Sequence, residues 1–385
     1  MTDAKPPPRR ARVAITLEQC WHRVPGGTAA AATGAISALL RHGDPQGRVE
    51  LHLIGVAARH RHPPPGPFVP PVPVHHLGLG RLALYEAWHR LRWPPVERAT
   101  GPIDLIHVTG MAMPPPSVPL VVTVNDLVFL HQPELFTRRG VAFFSRAVDL
   151  ARRDASLVIC PSRATMADCE RHGFDTDRLR LVPYGVDVVK ARPFDIQRVR
   201  ERYGIRGRYA LWLGTIEPRK NLPRLLAAFG RVHTDASLVL AGGQGWNEDL
   251  DRWARPLGDR VQRIGFVAEE DKPALYAGAA VFCLPSLMEG FGLPVLEAMA
   301  QGTPVVTSLG TSTEELVQVP GVDDLTAGVL VDPHDVEGIA GALGQLLEDE
   351  PVRLDLSRQA NLVAAEYSSE RMAGGLAGAY LEVLR

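Results

Sequence analysis

Along the chain, short runs of β-branched and other apolar residues alternate with longer stretches of helical apolar spacing. That rhythm predicts parallel sheets built from strand–helix–strand units. In the first half the strands are expected at Arg12–Leu17, Val49–Gly55, Ile103–Val108, Leu120–Val124, Leu157–Cys160 and Leu179–Val182. A second series follows at Tyr209–Leu213, Ser237–Ala241, Val261–Ile264, Ala280–Leu284, Pro304–Thr307 and Gly328–Val331. Between the series, Asp187–Arg208 is charged and holds only one short helical pattern, so the domain boundary is placed there. The expected organisation is an N-terminal Rossmann-like domain over 1–190 and a C-terminal one over 191–367. A last helix over 368–385 carries apolar spacing at Met372, Leu376, Tyr380 and Leu384 and is expected to pack back on the N-terminal domain. In such sheets ligands sit at the C-terminal ends of strands, and a cleft between the domains is the expected site.

Two stretches break the rhythm. His62–Pro73 holds seven prolines, too many for a helix or a central strand, and reads as an extended surface loop. Arg81–Arg98 interleaves Leu82, Leu84, Tyr85, Trp88, Leu91 and Trp93 with Arg81, Arg90, Arg92 and Arg98. The ordinary reading is a helix packed on the N-terminal sheet with its arginines solvated. The other is an amphipathic helix lying on an anionic membrane.

Composition narrows the classes. A chain of 385 residues with 45% hydrophobic content suits two folded domains. A formal net charge of −1 argues against a protein that mainly neutralises nucleic-acid phosphates. Cys20, Cys160, Cys169 and Cys283 form no C-x-x-C pair, so free thiols are expected and no zinc site. Met1–Arg10 is polar, basic and proline-rich, and no apolar run reaches spanning length. A cytoplasmic protein is expected, with the inner face of the membrane as an alternative address.

Candidate chemistry concentrates in the second half. An apolar strand ends at Gly214, a turn follows, and a helix is expected to begin near Leu222. Arg219 and Lys220 thus stand at a strand end, where two adjacent cations grip a diphosphate, one as a planar fork and one as a point charge. Behind the next buried strand, Gly290 and Gly292 permit close backbone approach, and Pro294 suits a first helical turn. The amides of Phe291–Leu293 should therefore lie at a helix N-terminus, which attracts phosphate. Glu289 precedes that helix and Glu297 sits one turn inside it, placed to accept hydrogen bonds from sugar and ribose hydroxyls.

Taken jointly these segments resemble the retaining GT-B glycosyltransferases, specifically glycosyltransferase family 4, including its mannosyltransferases. The resemblance rests on Gly214-Thr-Ile-Glu-Pro-Arg-Lys-Asn221 and Pro285-Ser-Leu-Met-Glu-Gly-Phe-Gly-Leu-Pro-Val-Leu-Glu297. Gly302-Thr-Pro-Val-Val306, Val331-Asp-Pro333 and the interdomain-like Val182-Pro-Tyr-Gly-Val-Asp187 continue it. It implies two Rossmann-like domains facing each other across a cleft, the N-terminal one on the acceptor side and the C-terminal one on the nucleotide-sugar donor side. It also implies a nucleotide diphosphate sugar, GDP-mannose or a UDP-sugar, as donor, and a glycan, lipid-linked or small-molecule acceptor. Arg219 and Lys220 would hold the diphosphate and Glu297 the ribose. Glu289 with Gly290, Phe291, Gly292 and Leu293 would address sugar and phosphates, and Gly265–Val267 would pass near the base. Gly214 belongs to the same donor site.

The first half matches less densely. Val24-Pro-Gly-Gly-Thr28 is a glycine loop opening a helix, where Gly26 and Gly27 let backbone amides approach phosphate or acceptor. In Val121-Val-Thr-Val-Asn-Asp-Leu127 the family's usual histidine before Asp-Leu is replaced by Asn125. An amide still hydrogen-bonds a sugar hydroxyl but carries no proton near neutrality. His131 would compensate only if its loop folds back, and His107 reads as a satisfied structural histidine.

The expected reaction is glycosyl transfer with retention, the leaving phosphate taking the acceptor proton. No Asp-x-Asp motif stands in a fitting place, so no metal or other cofactor is expected. The alternatives are a catalytically weak nucleotide-sugar-binding protein, motivated by Asn125, and a nucleotide-sugar epimerase on the same fold. A nicotinamide enzyme is disfavoured because no G-x-G-x-x-G follows the first strand.

Overall fold

The computed structural model describes residues 8–23, 25–243, 245, 250–318 and 326–385. Val24, at the head of the glycine loop, lies outside them. The chain divides into two compact units, Met1–Gly185 with Ser369–Arg385, and Val186–Ser368.

The N-terminal unit is built on strands β1 (Arg9–Thr16), β2 (Val49–Ala57), β3 (Val74–His76), β4 (Leu105–Val108), β5 (Leu120–Thr123), β6 (Leu157–Cys160) and β7 (Leu179–Leu181). They form a parallel sheet in the order β3-β2-β1-β4-β5-β6-β7. The order reverses between β1 and β4, the topological switch point of a doubly wound sheet. Alternate residues of the strands feed opposite cores, as the pleat requires. Ala14, Ile106, Val122 and Val158 face one core. Val13, Ile15, Leu105, Val121 and Ile159 face the other. The second core is closed by the helix Gly26–His42 through Ile36 and Leu39. The helix Ser369–Val383 adds Met372, Leu376 and Tyr380 to the same face.

The C-terminal unit repeats the plan. Its strands are β8 (Tyr209–Leu213), β9 (Ser237–Ala241), β10 (Val261–Gly265), β11 (Val281–Leu284), β12 (Val305–Ser308) and β13 (Gly328–Val331). The parallel order is β10-β9-β8-β11-β12-β13, with the switch point between β8 and β11. β8 and β11 are buried throughout, as strands covered on both faces must be. The one helical pattern expected in 187–208 is the helix Pro193–Tyr203. Proline fixes its first turn, and Gly204, in a left-handed conformation, ends it.

Three local expectations need revision. β3 was not anticipated, because it is three residues long and follows Pro73. The segment 81–98 is not one helix: Arg81–Glu86 is α-helical, Ala87–Leu91 widens into a π turn, and Arg92 stops it with φ 52. Pro94 and Pro95 forbid its continuation. Leu84 and Trp88 enter the core, while Leu82, Leu91 and Trp93 remain exposed. The proline-rich loop is also more than a surface connector, since Phe68 and Val72 pack into the core. Among the described residues no helix is long and apolar enough to cross a membrane.

Candidate active site

Three loops of the C-terminal unit meet at one asparagine. After β8 the chain passes Gly214, makes a single tight turn at Pro218–Lys220, and starts the helix Leu222–Arg231. Asn221 joins turn and helix at φ 58, a left-handed position that asparagine tolerates better than most residues. Its side-chain amide donates to the carbonyls of Pro285 (2.9 Å) and Pro333 (2.6 Å). The loops after β8, β11 and β13 are thereby tied together. The Leu287 amide also donates to the carbonyl of Arg219 (2.8 Å).

This scaffold aims the two cations. Lys220 is buried, and its Nζ lies 2.6 Å from Glu289 Oε1. Arg219 spans two carboxylates, with Nη1 3.0 Å from Glu289 Oε2 and Nε 2.7 Å from Glu217 Oε1. Burial pushes the Glu289 carboxyl up, but Lys220 and Arg219 outweigh it and hold the group down at about 2. Burial and the neighbouring Arg219 push the Lys220 ammonium down, against the pull of Glu289. Two cations and two carboxylates thus form one buried, internally balanced cluster.

The loop after β11 carries Glu289 into the helix Leu293–Ala300. Gly292 caps that helix at φ 99, and a Cβ there would stand 2.5 Å from Thr313 Cγ2, so only glycine fits. The Ser312 hydroxyl donates to the Glu289 carbonyl (2.8 Å), and Phe291 packs against Tyr367. Glu297, one turn inside, has different partners from Glu289: Tyr276 donates its hydroxyl to it at 2.8 Å. Burial raises the Glu297 carboxyl, against the opposing pull of Lys272 and Tyr276. Glu269 and Glu297 in turn raise Lys272 despite its burial. The two glutamates, one in the loop and one in the helix it opens, are therefore set apart, one held ionised and one with raised proton affinity.

Of the residues singled out in the sequence, Arg219, Lys220 and Glu289 touch one another. Gly290, Phe291, Gly292 and Leu293 continue directly from them. Gly214 lies alongside, where a Cβ would be 3.8 Å from Lys220 Cε. Val267 is buried in the loop after β10. Glu217, Asn221, Lys272 and Tyr276 were given no role from the sequence. The first two stand inside the motif that carries the resemblance, but nothing in it shows that Glu217 pairs with Arg219 or that Asn221 ties three loops together.

Gly27 and Asn125 belong to the N-terminal unit. Gly27 lies in the first turn of the helix Gly26–His42, where a Cβ would meet nothing within 4 Å, so its backbone is open to approach. Asn125 follows β5 and is half-buried; its Oδ1 accepts the Tyr184 hydroxyl, and its carbonyl accepts from Thr165 Oγ1 (3.2 Å). His107 is fully engaged, with Nδ1 2.7 Å from Tyr380 Oη and Nε2 2.8 Å from Thr123 Oγ1. Burial holds it down at about 3, so it stays neutral. His131 is taken by Asp168 at 2.7 Å. With His172 these two bring three possible ligand atoms within 4.8 Å of one another, and Arg171 also reaches the same carboxylate at 3.2 Å.

Comparison with known proteins matches this division. A family profile described as Glycosyltransferase Family 4 fits residues 25–190, and one described as Glycosyl transferases group 1 fits residues 195–363. The chain is 31% identical over 271 residues to an O-antigen chain mannosyltransferase B of Escherichia coli, covering 68% of this chain and 69% of that protein. It is 30% identical over 386 residues to a D-inositol 3-phosphate glycosyltransferase of Salinispora tropica, covering 88% of this chain and 78% of the relative. In fold it is similar to HepE of Anabaena, solved with UDP and glucose. That likeness has a TM-score of 0.75 at 21% identity and covers 97% of this chain and all of the other. WaaG, a glycosyltransferase of lipopolysaccharide biosynthesis, aligns with a TM-score of 0.71 at 18% identity over 95% and 98% of the two chains.

Proposed function

The chain belongs to glycosyltransferase family 4, and from that premise we propose how its residues carry out transfer from a nucleotide-sugar donor to an acceptor. The donor diphosphate binds at Arg219 and Lys220, the ribose hydroxyls at Glu297, and the sugar hydroxyls at Glu289 and the backbone from Gly290 to Leu293. Gly214 and Val267 line the nucleotide side. One observation supports this best: a buried lysine and an arginine share the carboxylate of Glu289 at the head of a glycine-shaped loop.

A diphosphate competes with Glu289 for the same N–H donors. Once the cations turn to phosphate, the carboxylate is released to accept from sugar hydroxyls. While Lys220 and Arg219 hold it the carboxyl stays ionised, so it meets the donor as an acceptor and not as a proton donor. In the transition state the bond from the anomeric carbon to the diphosphate oxygen breaks. Arg219, Lys220 and the N-terminus of the helix Leu293–Ala300 stabilise the negative charge that gathers there. The acceptor oxygen attacks from the same face, its proton passing to the leaving phosphate, so configuration is retained. Charge on the diphosphate is met by side chains, and no metal takes part in this reading.

The donor is GDP-mannose or a UDP-sugar. The first fits the mannosyltransferase among the relatives, the second the UDP complex of the structural neighbour. The acceptor is a glycan, a lipid-linked sugar or a small molecule. Peripheral contact with an anionic membrane runs through 81–98, where Leu82, Leu91 and Trp93 are exposed beside Arg90 and Arg98. A thermal-shift panel of nucleotide sugars is the test: one donor class raises the midpoint, and product mass spectrometry then identifies the transferred sugar. No rise with any nucleotide sugar overturns the assignment.

A further inference from the structure

The N-terminal unit carries an open cavity of about 500 Å3 lined by Trp21, His60, Gly80, Arg81, Leu82 and Ala83. That volume lies within the roughly 300–1,000 Å3 of small-molecule sites. Its walls come from the segments that follow β1, β2 and β3, at the carboxyl ends of three neighbouring parallel strands, where open α/β sheets bind ligands.

The wall is built rigidly. Glu18 is buried at the end of β1, and its carboxylate accepts from the Ala58 amide (2.8 Å) and from His60 Nε2 (2.9 Å). The His60 ring so fixed stacks under Trp21, with centroids 4.8 Å apart and planes within 7°. Trp21 Nε1 donates to the carbonyl of His62 (2.9 Å), at the start of the proline-rich loop, and His76 meets the indole edge-on. An indole locked at its edge, its N–H and one neighbouring ring is a preorganised plate beside an open cavity. Plates of this kind take flat, partly apolar, partly hydroxylated ligands.

Charge specifies the ligand further. Segments 18–23, 58–62 and 80–83 hold Arg23, Arg59, Arg61 and Arg81 against one carboxylate, Glu18. That carboxylate is already spent on Ala58 and His60. Arg81 reaches the Trp21 carbonyl with one nitrogen (3.3 Å), and among the described residues none of the four arginines forms an ion pair. A guanidinium facing a cavity without an acidic partner suits phosphate bidentately.

We infer that this cavity is the acceptor subsite and that the acceptor is a phosphate-bearing sugar or polyol, its ring on Trp21 and its phosphate on Arg81. The inference rests on the transferase reading above, with the phosphate belonging either to a soluble sugar phosphate or to a lipid-linked one.

Isothermal titration of the full chain with mannose, mannose 1-phosphate, mannose 6-phosphate and dodecyl mannosyl phosphate in micelles tests it. At least one phosphorylated probe should bind roughly tenfold to a hundredfold tighter than mannose, the worth of one charge-assisted pair. Arg81→Ala should erase that preference, and Trp21→Ala should weaken every probe. Trp21→Phe, which keeps a plate, should restore part of the loss. Binding of soluble and dodecyl probes alike identifies a free acceptor, and preference for the dodecyl ester identifies a lipid-linked one. Equal binding of all four, or a phosphate preference that survives Arg81→Ala, overturns the inference. The nucleotide-sugar thermal shift, run on the same samples, separates the two levels. If it persists while the phosphate preference is missing, the subsite fails alone; if it is absent in the wild type, the transferase reading fails with it.

Discussion

The strand ends at β8 and β11 and those at β4 and β5 bury their polar chemistry by opposite means. In the C-terminal unit the buried groups are charges in contact, Lys220 and Arg219 against Glu289 and Glu217. Around the ends of β4 and β5 in the N-terminal unit they are neutral: His107 between Tyr380 and Thr123, and Asn125 against Tyr184. Of the thirteen histidines all but His233 and His334 lie in the N-terminal unit, and burial holds His22 and His89 down at about 4. A paired charge is ready to exchange partners with an ionic ligand, whereas a neutral chain resists both charge and pH. The first suits a diphosphate, the second a wall that must stay uncharged.

The largest effect should come from breaking one half of the charged cluster. Lys220→Ala is expected to lower kcat/KM by about a hundredfold to a thousandfold, as loss of one transition-state donor does. It should also cost up to about 3–5 kcal/mol of stability, because the buried Glu289 keeps only Arg219, which it shares with Glu217. Lys220→Met combined with Glu289→Leu should recover most of that stability and none of the activity. Denaturant midpoints and initial rates on one set of samples check both. A double variant as unstable as the single would show that the cluster is not a mutual pair.

Acid separates the units next. Folding lowers His107 from 6.5 to about 3, so the unfolded chain takes up its proton first. Stability from this group is whole above pH 6.5 and drains as pH falls from there toward 3, by roughly 2–3 kcal/mol at about pH 4.5. His22 and His89 drain in the same direction. Folding lowers Glu289 from 4.5 to about 2, so its contribution is whole above 4.5 and drains only between 4.5 and 2. Hydrogen exchange at pH 5 should therefore accelerate in β4 and β5 before β11 and β12. Equal protection of both sheets down to pH 4 would contradict the contrast.

The same contrast governs what could be read in advance. Arg219, Lys220 and Glu289 were legible as candidates because each sits a few residues past a strand end, in a run whose glycines and prolines announce the loop-to-helix geometry, and Glu297 because it lies in the helix that this run opens. Their mutual contact was not, since Lys220 and Glu289 are 69 residues apart. The neutral wall was no easier: His107 meets Tyr380 across 273 residues, and Tyr184 meets Asn125 across 59. No local pattern encodes such pairs. Strand periodicity gave both sheets except β3, which is too short to carry a period, and the hydrophobic pattern of 81–98 overrode the two prolines that break it.

Asn221 probes the scaffold between these extremes. Asn221→Gly keeps the left-handed turn but loses two buried hydrogen bonds, expected to cost roughly 1–3 kcal/mol and to weaken the donor thermal shift. Asn221→Ala adds left-handed strain of about 1–2 kcal/mol and should be the worse of the two. An alanine variant as stable as the glycine one would mean that φ at this position is not the constraint.

The smallest effect should come from the neutral wall itself. Asn125 Oδ1 accepts from Tyr184, whose hydroxyl burial keeps protonated, so the end of the side chain left for a ligand is the NH2 group. Tyr184→Phe frees the amide to turn and should cost less than about tenfold in kcat/KM, within the worth of one neutral hydrogen bond. Asn125→His installs the residue that the family pattern carries there, and its neutral form still donates one N–H. Its rate at pH 8 should stay within a few-fold of wild type. Between pH 6 and 7 the variant should gain a limb in kcat/KM near the ordinary histidine pKa of about 6.5, which the wild type lacks. If the wild-type profile already carries that limb, a titrating group other than residue 125 serves the wall, and its neutrality is not what the unit is built to keep.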